Sequence, residues 1–375
     1  MQTFTNTNSS YEWRVKAPEK FRSMAALEDL RAYLKLCPSY KQTPLIKASN
    51  LASDLNISRL SIKDETDRMG LGNFKALGGA FAIFDMVVTR AEQTRGARPL
   101  IEPGIVETLK PLCKDTVFCC ASAGNHGLSV LAGANIFGAR AVIYLAEAVP
   151  EDFAARLRDM GAEVRREGEN YDASMAAART TCAKNGWVLI SDCAWEGYED
   201  VPLAVMRGYS IISEEIIARC AATDRWPSHV FLQAGVGGLA GALANHIRLT
   251  WPEQPTIVIV EPDKAACLME SVQTGAMVQV DAPGTNMGRL DCAEASLLAF
   301  EILRETADFF AAVRDEQANE ATKKLAQTEI ATTPSGAAGY AGLAAIASNA
   351  NLRSEFGIDE KSHCLCFASE RALST

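Results

Sequence analysis

The feature that most constrains this chain is a grammar repeated from about residue 59 to the C-terminus. A short apolar, β-rich run is followed by a glycine-bearing turn and then by a stretch with helical spacing. Such runs fall at residues 59–63, 116–121, 139–145, 187–191, 229–233, 256–260 and 363–368. Most are apolar without interruption. A half-exposed strand alternates apolar with polar residues, so continuous runs predict strands covered on both faces, as in parallel sheets whose crossover helices pack above and below. The fold class is α/β. Phe74, Leu77, Phe81, Phe84 and Val88 recur at spacings of three and four, which lines them on one helical face and makes that face core.

A chain of 375 residues suits two connected lobes better than one small core. The polar, Gly- and Pro-bearing segment 92–104 interrupts the pattern, and a second break lies near Pro202. The expected organisation is a discontinuous large domain of residues 1–85 and 206–375, with a small domain of residues 86–205 between its parts. Each domain is expected to hold a mostly parallel sheet flanked by helices.

The balance of 48% hydrophobic and 22% charged residues excludes a disordered chain. Net charge is −9, with no long cationic block, so neither nucleic acid nor an anionic membrane surface is an expected partner. The uncharged stretch 331–352 is long enough to span a bilayer but contains Pro334 and several glycines, serines and asparagines, which predicts a packed helix behind a loop. The first residues lack the basic start and apolar core of a secretion signal. Eleven cysteines, several inside apolar runs, point to a reducing, cytoplasmic setting. With no Cys-x-x-Cys pair and four scattered histidines, no metal site is expected.

Four segments could carry chemistry. Lys75 opens an apolar helix among Phe74, Ala76 and Leu77, where desolvation would lower its pKa and make it a nucleophile and base. Its bland counterpart is a lysine lying along apolar surface with its head in water. Next, Ser122, Ala123, Gly124, Asn125 and His126 join a strand to a helix, whose first N–H groups suit a substrate carboxylate; the alternative is a plain N-cap. His126 itself reads as hydrogen-bonded scaffolding rather than as a base.

The third segment is Gln233-Ala-Gly235-Val236-Gly237-Gly238-Leu239, where absent side chains let several N–H groups converge on a phosphate. It matches neither nucleotide fingerprint, which favours a phosphate-bearing cofactor without a dinucleotide; close strand-to-helix packing is the other explanation. Last, the strand 363–368 ends at Ser369, and the ends of parallel strands face the ligand crevice.

Taken together these segments resemble the tryptophan-synthase-β-like, fold type II family of pyridoxal-phosphate enzymes, and within it the diaminopropionate ammonia-lyases. The resemblance rests on Arg68-Met-Gly-Leu-Gly-Asn-Phe-Lys-Ala-Leu-Gly-Gly79, Ser122-Ala-Gly-Asn-His-Gly127, Ser191-Asp-Cys-Ala-Trp-Glu-Gly-Tyr198, Gln233-Ala-Gly-Val-Gly-Gly238, Val260-Glu-Pro-Asp-Lys264 and Ser335-Gly-Ala-Ala-Gly339. It implies that Lys75 carries pyridoxal 5′-phosphate as a Schiff base and that Asn125 meets the 3′-oxygen. It also implies that residues 235–239 hold the phosphate, that Ser369 meets the pyridine nitrogen, and that Asp192 lies near the substrate. Asp192 also reads as a strand-end carboxylate capping a turn. The implied activity is β-elimination from a small amino acid, with a 2-oxo acid and ammonia as products, in a homodimer.

β-Replacement, racemisation and cofactor binding without turnover are the alternatives; Lys75 and the glycine cup argue against the last. The chain also departs from the lyase pattern. Ala123 stands where those enzymes have aspartate, Gly288-Arg289-Leu290 replaces a Gly-Glu-Pro-like element, Thr333-Pro334-Ser335-Gly336 replaces a Gly-Glu-Ser-Gly-like one, and Arg371 follows Glu370 where glycine is expected. Acid is lost and base gained. An Arg289 that points into the pocket would match a neutral or anionic side chain better than an ammonium; otherwise it is a solvated loop residue.

Overall fold

The computed structural model describes residues 1–122 and 124–372. Its strands, in chain order, are β1 (Gln2–Thr5), β2 (Leu45–Lys47), β3 (Arg59–Asp64), β4 (Val117–Ala121), β5 (Arg140–Leu145), β6 (Glu163–Arg166), β7 (Val188–Leu189), β8 (His229–Gln233), β9 (Thr256–Pro262), β10 (Phe309–Val313) and β11 (His363–Ala368). They form a seven-stranded sheet of order β1-β10-β9-β8-β11-β3-β2 and a four-stranded sheet of order β6-β5-β4-β7. Only the outer strands β1 and β2 run antiparallel to their neighbours. Every residue of β4 and β8 is buried, which is why these strands read as unbroken apolar runs.

The four strands without a clear signal were β1, β2, β6 and β10. Three are short edges, and β6 is Glu-Val-Arg-Arg, whose charges suit an exposed sheet margin. β10 is buried, but its alanines lack the β-branched cue. β7 is shorter than the run 187–191, because the chain turns away after Ile190 donates its N–H to Cys119 O at 2.7 Å.

The small sheet is built from strands of residues 117–189, and the large one from strands before and after them. The expected divisions at 85/86 and 205/206 both fall inside helices, Gly78–Arg95 and Asp200–Tyr209. These two helices pack too closely for side chains at the crossing. A Cβ on Gly208 would lie 2.4 Å from Leu77 O, and one on Gly78 2.5 Å from Tyr209 Cε1. One apolar cluster runs through both layers, from Phe118 and Ile143 to Leu243 and Phe310. The uncharged stretch 331–352 contains the helix Pro334–Ala347, largely buried and capped by the Thr333 hydroxyl. No helix among the described residues is long and apolar enough to cross a membrane.

A buried ionic cluster anchors the segment that leads to Lys75. Arg68 is fully buried and donates to Glu65 at 2.7 and 2.8 Å and to Glu215 at 2.8 and 2.9 Å. Lys63 adds a second cation on Glu215, and Thr43 donates its hydroxyl to Glu65 at 2.6 Å. Two cations against two carboxylates leave little net charge inside, so each ion keeps compensation that water no longer supplies. The cluster ties β3 and residues 65–68 to the helix Ile211–Ala221.

Candidate active site

Lys75 lies in a single turn, Phe74–Leu77, that feeds the helix Gly78–Arg95. Asn73 caps that turn by accepting the Lys75 N–H at 3.1 Å, and Phe74 N–H donates to Ser369 O at 3.1 Å. The side chain of Lys75 reaches across to the small sheet, where Nζ donates to Asp192 Oδ2 at 2.8 Å. Burial by itself lowers the lysine, but the Asp192 carboxylate outweighs it and holds the amine above its ordinary value. Burial likewise opposes the Asp192 charge, yet Lys75 and His126 hold the carboxyl well below the usual range. The expectation of an amine lowered by desolvation is therefore corrected, because a carboxylate in hydrogen-bond contact favours the charged form.

Asp192 owes its position to a neighbouring loop. The Tyr198 hydroxyl donates to Leu189 O at 2.7 Å and accepts from Ser191 N–H at 3.1 Å, and its ring stacks on Trp195 with centroids 4.3 Å apart. The chain is thus clamped just before the carboxylate.

The turn after β4 opens the helix Asn125–Ile136. Ser122 Oγ accepts from the N–H groups of Gly124 and Gly127, both at 2.9 Å, so its lone pairs build the turn, and its O–H has no acceptor among the described residues. Gly124 has φ +133°, and a Cβ there would meet Phe153 Cε1 at 2.5 Å. The backbone N–H groups of Asn125 and His126 find no acceptor among the described residues. His126 is buried with Nε2 2.8 Å from Ile190 O, which supports scaffolding; its Nδ1 lies 3.9 Å from Asp192 Oδ2. Ala123 lies outside the described residues.

The glycine cup follows β8. The first intrahelical bond runs from Gly241 N–H to Gly237 O, and the N–H groups of Gly235, Gly237, Gly238 and Leu239 have no acceptor among the described residues. Gly237 has φ +94°, and a Cβ there would lie 2.7 Å from Ala299 Cβ. Val236 carries the only side chain between those glycines, and its O accepts from Ser296 N–H at 2.9 Å. The cup adjoins Lys75 through Asp192, whose O is 3.7 Å from the position of a Cβ on Gly238.

Two residues beyond the sequence expectations complete the floor. Glu370 takes a hydrogen bond from Asn125 Nδ2 and another from Thr333 Oγ at 2.6 Å, beside buried Ser369. Asn73 Nδ2 donates to Asn125 Oδ1 at 3.2 Å. Asn73 was findable as a helix-capping type before Lys75; Tyr198 closes one of the blocks that carry the resemblance, whereas Glu370 and Phe153 had no local signal. Arg289 turns inward, with its guanidinium carbon 5.1 Å from the centre of the Phe153 ring and Nε 3.7 Å from Glu370 Oε2.

A lysine amine, a helix start with open N–H groups and a second, glycine-lined cup define a site for an aldehyde cofactor with an anionic tail. Residues 36–364 match the family model described as pyridoxal-phosphate dependent enzyme, and the chain belongs to that family. It is homologous to the diaminopropionate ammonia-lyases. It is 31% identical to the one from Salmonella typhimurium, over 91% of this chain and 88% of the relative, and 32% identical to the one from Escherichia coli, over 84% and 80%. The holo crystal structure of the Escherichia coli enzyme superposes with a TM-score of 0.88 at 29% identity, covering 99% of this chain and 93% of the other. The cofactor is pyridoxal 5′-phosphate, and the residues present fit it: N–H groups without an acceptor among the described residues for the phosphate, an amine at 2.8 Å from a carboxylate for the aldehyde, and a neutral hydroxyl at the end of β11.

Proposed function

We propose that this chain is a β-eliminating ammonia-lyase that converts a small β-substituted amino acid to a 2-oxo acid and ammonia, in a pocket altered from that of its relatives. The observation that carries the reading is the Lys75 amine paired with Asp192 at 2.8 Å between two sets of open backbone N–H groups. When bound, pyridoxal phosphate supplies an aldehyde for amines and a ring that accepts the electron pair of the Cα–H bond. Lys75 holds the cofactor and, once displaced by the incoming amino acid, takes the α-proton on Nζ. The turn of residues 122–126 orients the substrate carboxylate on the N–H groups of Asn125 and His126, with the Ser122 O–H as a further donor. Asp192 keeps that Nζ charged after the transfer and so opposes return of the proton. Residues 235–239 would hold the phosphate, Asn125 would meet the 3′-oxygen, and Ser369 would offer the pyridine nitrogen a neutral hydroxyl in place of a carboxylate counter-ion.

We read the assembly as a cytoplasmic homodimer of subunits with a large and a small domain; eleven cysteines, all free thiols, support a reducing compartment. Neutral, cationic and anionic amino acids assayed for oxo acid and ammonia release test the reading. Turnover should vanish in Lys75→Ala, and borohydride should label Lys75. A new β-substituted amino acid that forms when an acceptor nucleophile is added, with little oxo acid or ammonia released, would establish β-replacement instead.

A further inference from the structure

Arg289 is fixed from both sides of its backbone. Its N–H donates to Ser335 Oγ at 3.1 Å, and its O lies 3.1 Å from where Gly235 would carry a Cβ. The side chain is 30% exposed and rests over Phe153, whose ring in turn covers Gly124 of the carboxylate turn. Guanidinium, ring and turn are successive layers of one wall. Among the described residues the guanidinium makes no hydrogen bond, and its Nε is buried without a partner. Glu370 at 3.7 Å is beyond hydrogen-bond range and already receives the Asn125 amide and the Thr333 hydroxyl. The other cation of the cleft, Lys75, is committed to Asp192.

A guanidinium carries five donors in a planar fork that fits a carboxylate or phosphate, and a buried donor without an acceptor is costly. We propose that Arg289 is a specificity-determining residue that receives an anionic group borne on the substrate β-carbon, so that the site takes amino acids with a second acid function rather than a second ammonium. A cationic side chain would face Arg289 and Lys75 with like charge. The inference rests on the β-elimination reading and names its substrate class. Two chemistries share this anion. In hydroxyaspartate the hydroxyl leaves with a proton as water, hydrolysis returns one water, and the net products are a dicarboxylic oxo acid and ammonia. In O-phosphoserine the phosphate leaves with the C–O bond electrons, one water is consumed, and the products are pyruvate, ammonia and phosphate.

The test uses the holoenzyme with hydroxyaspartate, O-phosphoserine, serine and diaminopropionate. Arg289→Gln should lower kcat/KM for the preferred anionic substrate about 30-fold or more, the range for removing one partner of a desolvated charge pair, and change serine less than about threefold. Arg289→Lys should recover part of the loss, and an unchanged melting midpoint shows that the variants are folded. A loss confined to hydroxyaspartate assigns a carboxylate, and one confined to O-phosphoserine a phosphate. Equal loss on all substrates, or on none, overturns the proposal. Aspartate and alanine, which lack a leaving group, separate the two readings through the shift of the cofactor absorbance on titration. If no substrate yields oxo acid but aspartate binds more tightly than alanine in an Arg289-dependent way, elimination fails and the anion site stands. If aspartate binds no better than alanine and Arg289→Gln lowers turnover of neither hydroxyaspartate nor O-phosphoserine selectively, the anion site fails.

Discussion

Replacing Asp192 with asparagine keeps the shape beside Lys75 and removes the charge. At 2.8 Å the pair is worth about 6 kcal/mol at an effective dielectric of ~20 and about 1.5 kcal/mol in water. The lysine is 24% and the aspartate 11% exposed, so an intermediate of about 3 kcal/mol applies, equal to ~2 pKa units. Burial, which Asp192 now overrides, would then govern the amine and bring it below its ordinary value. Imine formation needs the neutral amine. In protein stripped of cofactor, the rate at which added pyridoxal phosphate is taken up, followed by its visible absorbance, should rise with pH through the Lys75 pKa. The midpoint of that profile should fall by about two units in Asp192→Asn, with Lys75→Ala as the blank. An unmoved midpoint would refute the electrostatic account of Asp192. A midpoint moved upward would show that some other group sets the amine.

Gly237→Ala should cost about 1–2 kcal/mol from its positive φ alone, plus the clash with Ala299 and Leu268; a lowered melting midpoint together with at least tenfold weaker cofactor binding checks it. Tyr198→Phe removes the clamp on Leu189 and Ser191, at about 1–2 kcal/mol, and should lower kcat with little change in cofactor affinity. Glu215→Gln strips the shared carboxylate from Lys63 and Arg68 and should cost about 3–5 kcal/mol in denaturant unfolding. Burial opposes the Glu215 charge, yet Arg68 and Lys63 hold its carboxyl below the ordinary value of 4.5. Its contribution is therefore complete above that value and is lost as pH falls through the folded pKa, so the variant should show a flatter acid limb.

Much of this molecule is written locally. Continuous apolar runs mark β4, β8 and β11 because a strand buried on both faces leaves no place for polar residues. Glycines after β8 mark the cup, since a left-handed backbone at Gly237 and a close approach by Ala299 exclude side chains. Lys75, Asn125 and Ser369 stand out as candidates because each sits at the end or start of an element, where the chain has few ways to run; their roles toward the cofactor are what the resemblance implies.

What the tertiary structure decided is which of these groups meet, and in what charge state. Lys75 and Asp192 are far apart in the chain, and only the approach of the two sheets sets them at 2.8 Å and turns an amine expected to be lowered into one that is raised. Glu370 reaches Asn125, and Phe153 lies between Gly124 and Arg289, through contacts that no local pattern encodes. A side chain's identity is a property of the sequence. Its solvation and its Coulomb partners are set by everything folded around it.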